Sequence, residues 1–446
     1  MSSDAINRRE FAKASAAIAA AFGLARFELP PLIPEVQAAG REVSWGMIGT
    51  GTRGMELLRQ LAKIRTGRCV GLCDIYPTNL KKAVETIGNN PTTFDDYHRM
   101  LERKDIEAVL IVTPLDTHAR ITLDALNAGK HVFCEKTMVF KESEVQTLRD
   151  SVAAHPKQVF QVGLQRRYSD IYRMALQMMR RGALGKITHI RANWHRNSDW
   201  RRPVADPKLE RLINWRMYKE HSGGLMAELG SHQLDVANWI FNAEPRSVIG
   251  FGGIDYWKDG RETYDNAQCI FEYPTSQKVV WTSLLNNAHY DFGEQIMGDG
   301  GTIEISLSGS TGGAGAFFVE PKVKATAKGN VPPKEQWWAG ATVSASAGKQ
   351  TPFPIFPDEI KPEQPFMERE AGFAKRWLAQ KGWYEVREPK NPVGSQLEHF
   401  FLCVTDGLKP ISNIDVGAGD AECVIYANQA MEEDRRVYWP KYRTSV

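Results

Sequence analysis

Between Val43 and Leu164 the hydrophobic pattern alternates between two rhythms. Short apolar runs appear at Ser44–Ile48, Cys69–Asp74, Ala108–Pro114, His131–Lys136 and Val159–Leu164. Each has the length of a strand, and their near-continuous apolar character is typical of parallel strands covered on both faces. Between them, apolar residues recur at helical spacing: Met55, Leu57, Leu58 and Leu61 after the first run, then His118–Ala128 closed by Gly129, then Glu144–Ala154. Strand–helix repeats with right-handed crossovers predict a doubly wound parallel sheet, with its ligand at the carboxyl ends of the strands.

After Gln165 the rhythm changes. A helix is predicted over Asp170–Arg181, stopped by Gly182. The segments Ile187–His195, Ser247–Trp257, Ala267–Pro274, Lys278–Asn287 and Gly301–Gly309 alternate polar and apolar residues, as antiparallel strands do. Helices are predicted again over Gln396–Gly407 and Gly417–Arg435. Ser308–Ala316 is flexible by composition, and Lys322–Pro365 reads as an irregular surface excursion. Its Trp337-Trp338 pair either covers a site or packs an interface. The expected fold is thus an α/β Rossmann domain over residues 43–165, then an α+β domain with a mostly antiparallel sheet over 166–446.

The front of the chain has a different pattern. Arg8 and Arg9, followed by Phe11 and Lys13, precede a short apolar run from Ala14 to Ala25, and Val36–Ala38 supplies a small-residue exit. The run is shorter than the roughly 20 residues a membrane-spanning helix needs. Charged start, apolar middle and small-residue exit predict a twin-arginine export signal over residues 1–38, and a periplasmic or secreted location.

Composition narrows the function. A chain of 446 residues is too long for one ordinary core. A net charge of +3 without Lys/Arg blocks argues against nucleic acid as a partner, and no later apolar run is long enough for membrane insertion. Six cysteines in this length are not a disulfide framework. Cys69 and Cys73 on one strand would lie roughly 13 Å apart, beyond disulfide reach. With no C-x-x-C pair, no metal site is expected.

The chemistry begins at Gly49-Thr50-Gly51-Thr52-Arg53-Gly54, a G-x-G-x-x-G with a strand before it and a helix after it. The first glycine permits the tight turn, the second lets backbone approach a pyrophosphate, and the third lets helix and strand pack closely. The pyrophosphate then meets free N–H groups at the positive helix end. Asp74 ends the next strand, where a carboxylate accepts hydrogen bonds from the adenosine ribose and repels a 2′-phosphate. NAD is therefore expected rather than NADP. Expected cofactor contacts are Gly49, Gly51, Thr52, Arg53, Gly54 and Asp74, with Thr113, Pro114, His118, Glu135 and Lys136 at later strand ends. In Gly223–Trp239, a helix from about Leu225 would place Glu228 and His232 on one face, so that the carboxylate orients the imidazole. Asp235, three residues beyond His232, is an alternative orienting group.

Taken together, GTGTRG, the EK of CEKT, QRRY and GGLMAELGSH resemble the glucose–fructose oxidoreductase/inositol dehydrogenase (Gfo/Idh/MocA) family over most of the chain after Val43. The resemblance implies that Lys136, Glu228 and His232 face a nicotinamide and a sugar or cyclitol. Thr137 stands where the family usually has proline, and Glu228 where it has aspartate. The clusters Arg166-Arg167-Tyr168, Trp194-His195-Arg196, Trp200-Arg201-Arg202 and Trp215-Arg216 either contact a saccharide or pack a surface or dimer interface. Arg167, Tyr168, His195, Trp215 and Arg216 are the candidate substrate contacts, since aromatic faces stack on sugar rings and arginines bind hydroxyls or acid groups. The implied chemistry is hydride exchange with a secondary alcohol, in a homo-oligomer (dimer or tetramer). An NAD-dependent glycosidase that oxidises a sugar transiently is an alternative. A third is a non-catalytic sugar-binding protein, against which Lys136 and His232 argue.

Overall fold

The computed structural model describes residues 41–306, 314–320, 353–354 and 391–445. The predicted export signal, Lys322–Pro365 with its tryptophan pair apart from Phe353–Pro354, and residues 307–313 lie outside the described residues. Compactness divides the chain into two units. Of the described residues, the larger takes in 41–169, 192–292 and 391–445; the smaller takes in 170–191, 293–306, 314–320 and 353–354.

In the larger unit six strands, β1 (Val43–Ile48), β2 (Gly67–Cys73), β3 (Thr92–Phe94), β4 (Ala108–Ile111), β5 (His131–Cys134) and β6 (Phe160–Val162), form a parallel sheet in the order β3-β2-β1-β4-β5-β6. The connecting helices are α1 (Thr52–Leu61), α2 (Pro77–Ile87), α3 (Tyr97–Leu101), α4 (His118–Asn127) and α5 (Glu142–Ala154). Both faces of the sheet are buried, which explains the unbroken apolar runs. In β4, Ala108 and Leu110 face a cluster with Trp45, Phe133, Phe400 and Phe401, while Val109 and Ile111 face one with Val162, Ala418 and Ala421.

Two late helices supply those last residues: α8 (Pro392–Asp406) and α9 (Ile414–Glu432), either side of a glycine, Gly407, at φ 67°. Both start a few residues earlier than the apolar pattern suggested, because Asn391 and Asn413 cap them through their side chains. The strands instead stop early. β4 ends at Ile111 and β5 at Cys134, leaving Thr113, Pro114, Glu135 and Lys136 in loops beyond the strand ends.

The larger unit also carries α7 (Ser231–Phe241) and an antiparallel ladder of β8 (Ser247–Gly253), β9 (Asn266–Glu272), β10 (Lys278–Leu284) and β15 (Val437–Tyr438). β8 was expected to run to Trp257. It stops at Gly253 because the Asp265 carboxylate accepts the N–H groups of Asp255, Tyr256 and Trp257. The smaller unit contains α6 (Asp170–Arg180) and the antiparallel pairs of β11 (Phe292–Gly298), β12 (Gly301–Ser306), β13 (Ala314–Val319) and β14 (Phe353–Pro354). β7 (Ile187–His195) has residues in both units. Ala314–Ala316, expected to be flexible, is strand: the glycines before it gave the segment its loop-like composition, but β12 pairs with it residue for residue.

All six cysteines are buried free thiols. Burial pushes Cys69 and Cys73 up to about 12. No helix among the described residues is long and apolar enough to cross a membrane.

One buried group works against the fold. Asp420 on α9 is fully buried and neither carboxyl oxygen has a hydrogen-bond partner. Burial and Asp235 raise its pKa well above the ordinary value, against the pull of Lys136 and Arg167. A carboxyl raised in the folded state costs nothing below its unfolded pKa, and its cost grows as pH rises from there toward the folded value. Asp420→Asn should therefore raise the thermal midpoint at pH 8, with the gain shrinking toward pH 4. An equal change at both pH values would show that Asp420 does not titrate abnormally.

Candidate active site

A cavity of about 1450 Å³ opens at the carboxyl ends of the parallel strands, entirely within the larger unit. Its floor is the glycine loop. Gly49 has φ 91°, and a Cβ there would lie 2.5 Å from the Val112 carbonyl; one on Gly54 would lie 2.4 Å from the Gly49 carbonyl. A Cβ on Gly51 would meet nothing within 4 Å, because that residue faces open space. No side chain caps the start of α1, so its first N–H groups remain available. Two glycines clear the backbone and the third faces the void, so the loop fits a dinucleotide pyrophosphate.

Asp74 lies beside this loop. Its Oδ2 accepts from the Thr50 N–H at 2.7 Å and the Thr50 hydroxyl at 3.0 Å, and its Oδ1 accepts from the Tyr76 N–H at 2.8 Å. These bonds fix the carboxylate where the adenosine ribose is expected. Thr52, Thr113 and Pro114 line the same cavity. Arg53, Glu135 and His118 line it too, but as braces. Arg53 binds Glu135 at 2.8 Å, Gln165 at 2.9 Å and Glu56 at 2.9 Å. Glu135, 4 % exposed, also accepts the Lys136 N–H. Both ring nitrogens of His118 face carbonyl oxygens, those of Thr113 and Thr137.

The expected Lys136, Glu228 and His232 group differs from its predicted layout. Residues Met226–Gly230 form a turn of π-helix, and the regular α-helix that carries His232 starts at Ser231. The wider turn removes the i, i+4 alignment of Glu228 with His232. The Glu228 carboxylate instead accepts from Arg216 Nε at 2.6 Å and makes no bond to His232. Asp235, the alternative orienting group, is bound by Arg167 at 2.7–3.0 Å in a buried pair. Neither carboxylate orients His232. Lys136 reaches two carbonyls of this turn: its Nζ donates to the Ala227 oxygen at 2.7 Å, which also accepts from the Ser231 hydroxyl at 2.8 Å, and to the Glu228 oxygen at 2.9 Å.

His232 is buried beside Trp194, its ring centroid 5.7 Å away, and Nδ1 has no partner. Burial, then Lys136, Arg166, Arg53 and Arg196, hold its pKa well below the ordinary value. Burial likewise lowers Lys136, against the attraction of Glu228 and Glu135. Glu228 goes down: burial favours its neutral form, but Arg216 and Lys136 outweigh that. The arrangement offers a neutral imidazole ready to accept a proton, next to a cation able to stabilise oxyanion charge.

Of the substrate candidates, Trp215 and Arg216 line the cavity, stacked with the guanidinium carbon 4.2 Å from the indole centroid. Arg167, Tyr168 and His195 do not. Arg167 is held by Asp235, the buried Tyr168 hydroxyl lies 3.3 Å from Ser412, and His195 bonds the His289 carbonyl and the Thr282 hydroxyl. The sequence motif QRRY is therefore structural in its last two residues. Trp194, Arg196, Trp200 and Arg202, from the tryptophan–arginine clusters, line the cavity, as do Asp116 and His221, which the sequence did not mark. Density of tryptophan and arginine over 194–216 marked this region, but nothing in the pattern told which members face inward.

A model for an oxidoreductase family with an NAD-binding Rossmann fold matches residues 43–164, and a model for a Gfo/Idh/MocA C-terminal domain matches 172–304. The chain belongs to the Gfo/Idh/MocA family. An inositol 2-dehydrogenase of Salmonella paratyphi B is 27% identical over 204 residues, 46% of this chain and 56% of that protein. A glycosyl hydrolase family 109 protein of Stenotrophomonas maltophilia is 35% identical over 202 residues, 43% of this chain and 42% of that one. The chain thus spans about half the length of these Gfo/Idh/MocA relatives. A scyllo-inositol dehydrogenase of Lactobacillus casei, solved with NAD(H) and scyllo-inositol, shares the fold at TM-score 0.62 and 20% identity, over 89% of this chain and 99% of that one.

Arg167→Ala should leave the Asp235 carboxylate buried without its cation and cost about 3 kcal/mol of stability. Nucleotide affinity of the folded fraction should stay within about twofold. A stable variant with weakened ligand binding would return Arg167 to the site.

Proposed function

We propose that this Gfo/Idh/MocA protein is an NAD-dependent oxidoreductase acting on a secondary hydroxyl of a sugar or cyclitol. The observation that carries the reading is the neutral, cation-surrounded His232 sharing one cavity with Lys136 and a glycine loop shaped for a pyrophosphate. Gly49, Gly51, Gly54 and the start of α1 would hold the pyrophosphate, and Asp74 the adenosine ribose. When bound, the nicotinamide supplies hydride acceptance. His232 accepts the hydroxyl proton as the carbon gives up its hydride. Lys136, anchored through two carbonyls, directs its remaining N–H toward the developing oxyanion. Arg216 and Glu228 set the charge around Lys136, with Trp215 beside them.

A second reading is supported by the glycosyl hydrolase family 109 relative. There the same base and cation serve transient oxidation of a glycoside, elimination, water addition and re-reduction, with no net redox change. Export through Arg8-Arg9, with the nucleotide held through repeated turnovers, also belongs to the proposal. So does a homo-oligomer (dimer or tetramer); exposed Phe251 and Ile270 on β8 and β9 support it.

Incubating the protein with NAD and panels of free polyols and glycosides, with product analysis, tests the two readings. Oxidised polyol with equimolar NADH is expected; aglycone release without NADH would favour the hydrolase. His232→Ala and Lys136→Ala should each lower kcat/KM by about 10²- to 10⁴-fold with nucleotide affinity nearly unchanged. Near-normal activity in either variant would place the base or the oxyanion donor elsewhere. Asp74→Ser should relax a preference for NAD over NADP. Comparable binding of both by the unmodified protein would remove Asp74 from that role.

A further inference from the structure

Five arginines between β7 and the π-turn line the cavity: Arg196, Arg201, Arg202, Arg211 and Arg216. Three have carboxylate partners. Arg201 pairs with Glu210 and Asp259, Arg211 with Glu220 and Glu262, and Arg216 with Glu228. The guanidinium groups of half-buried Arg196 and exposed Arg202 make no hydrogen bond or ion pair with any described residue.

Their backbones, by contrast, are pinned. The Arg196 N–H donates to the Leu284 carbonyl at 2.7 Å, and its guanidinium carbon lies 5.1 Å from the Trp194 ring centroid. Asn214, 2 % exposed, clamps Arg202 from both sides. Its Oδ1 accepts the Arg202 N–H at 2.8 Å, and its Nδ2 donates to the Arg202 carbonyl at 3.0 Å and to Glu210 at 3.0 Å. Burial works against the charge of both arginines; the more distant Asp291 and Glu228 pull Arg196 the other way, and Arg216 adds repulsion to Arg202. Arg196 is also one of the cations acting on His232, so it lies on the reacting side of the cavity. The dinucleotide pyrophosphate has its own place at the glycine loop.

Two guanidinium groups with no carboxylate in hydrogen-bond or ion-pair contact, held by fixed backbone where the three neighbouring arginines are each ion-paired, suit an anion from outside. We propose that Arg196 and Arg202 form an oxyanion subsite, and that the substrate is a sugar or cyclitol ring bearing a carboxylate or phosphate group. The anion docks there while a ring hydroxyl meets His232 and Lys136. This rests on the reading of the cavity as a polyol-oxidising site.

The test is the affinity of the NAD-loaded protein for matched sugars: glucuronate and glucose 6-phosphate against glucose, and galacturonate against galactose. At least one anionic sugar should bind about 10- to 100-fold more tightly than its neutral parent. The carboxylate and phosphate arms then identify the group. Sodium chloride should erode the advantage, and the Arg196→Ala/Arg202→Ala double variant should abolish it while keeping NAD affinity. Equal affinities in every pair, including no binding by any of these sugars, would overturn the subsite, as would an advantage that survives in the double variant. An anionic sugar that binds tightly but never reduces NAD would sink the oxidation reading and leave the subsite standing. A neutral sugar oxidised as well as its acid would sink the subsite alone.

Discussion

The constraint on which the site depends is a pair of hydrogen bonds from one ammonium group. Lys136, just beyond the end of β5, donates to the carbonyls of Ala227 and Glu228. A π-turn breaks the regular ladder there and leaves carbonyls in need of donors. The lysine donates to two of them, and in doing so it fixes the segment that carries His232 against the strand-end loops that frame the nucleotide site. Losing Lys136 would remove a charge and one donor from each of the two carbonyls, the Ala227 oxygen keeping the Ser231 hydroxyl.

Electrostatics follow from that placement. His232 has Lys136, Arg166, Arg53 and Arg196 acting on it and no carboxylate hydrogen-bonded to its ring. Glu228 is held by Arg216 and Asp235 by Arg167, so the acids nearest in sequence are engaged with arginines. The imidazole is therefore kept neutral by burial first and repulsion second, a different route to a competent base from a carboxylate–histidine pair.

The parallel sheet was legible because both faces are buried, which makes each strand a continuous apolar run. The glycine loop was legible because backbone geometry demands glycine: Cβ atoms at Gly49 and Gly54 have nowhere to go. Lys136 and His232 were found through motif resemblance and do share the cavity. What failed was the assumption of regular helix before His232. A π-turn has no distinct hydrophobic period, so Glu228 was given the wrong partner. Arg167, Tyr168 and His195 failed for another reason: composition marks a region rich in arginine and aromatics, but burial and pairing decide which side chains reach the void. For the same reason the clusters holding Trp194, Arg196 and Arg202 were marked without showing that these members reach the cavity.

The central claim is that His232 is a neutral base whose pKa is depressed by burial and surrounding cations. The most direct measurement is an NMR pH titration of its ring nitrogens in nitrogen-15 histidine-labelled protein, assigned with a His232→Gln variant. The account predicts a neutral ring throughout the range above pH 6.5, with protonation only well below it, and an upward shift of the midpoint in Lys136→Met. A midpoint at or above the ordinary value of about 6.5, or one unmoved by loss of Lys136, would contradict it.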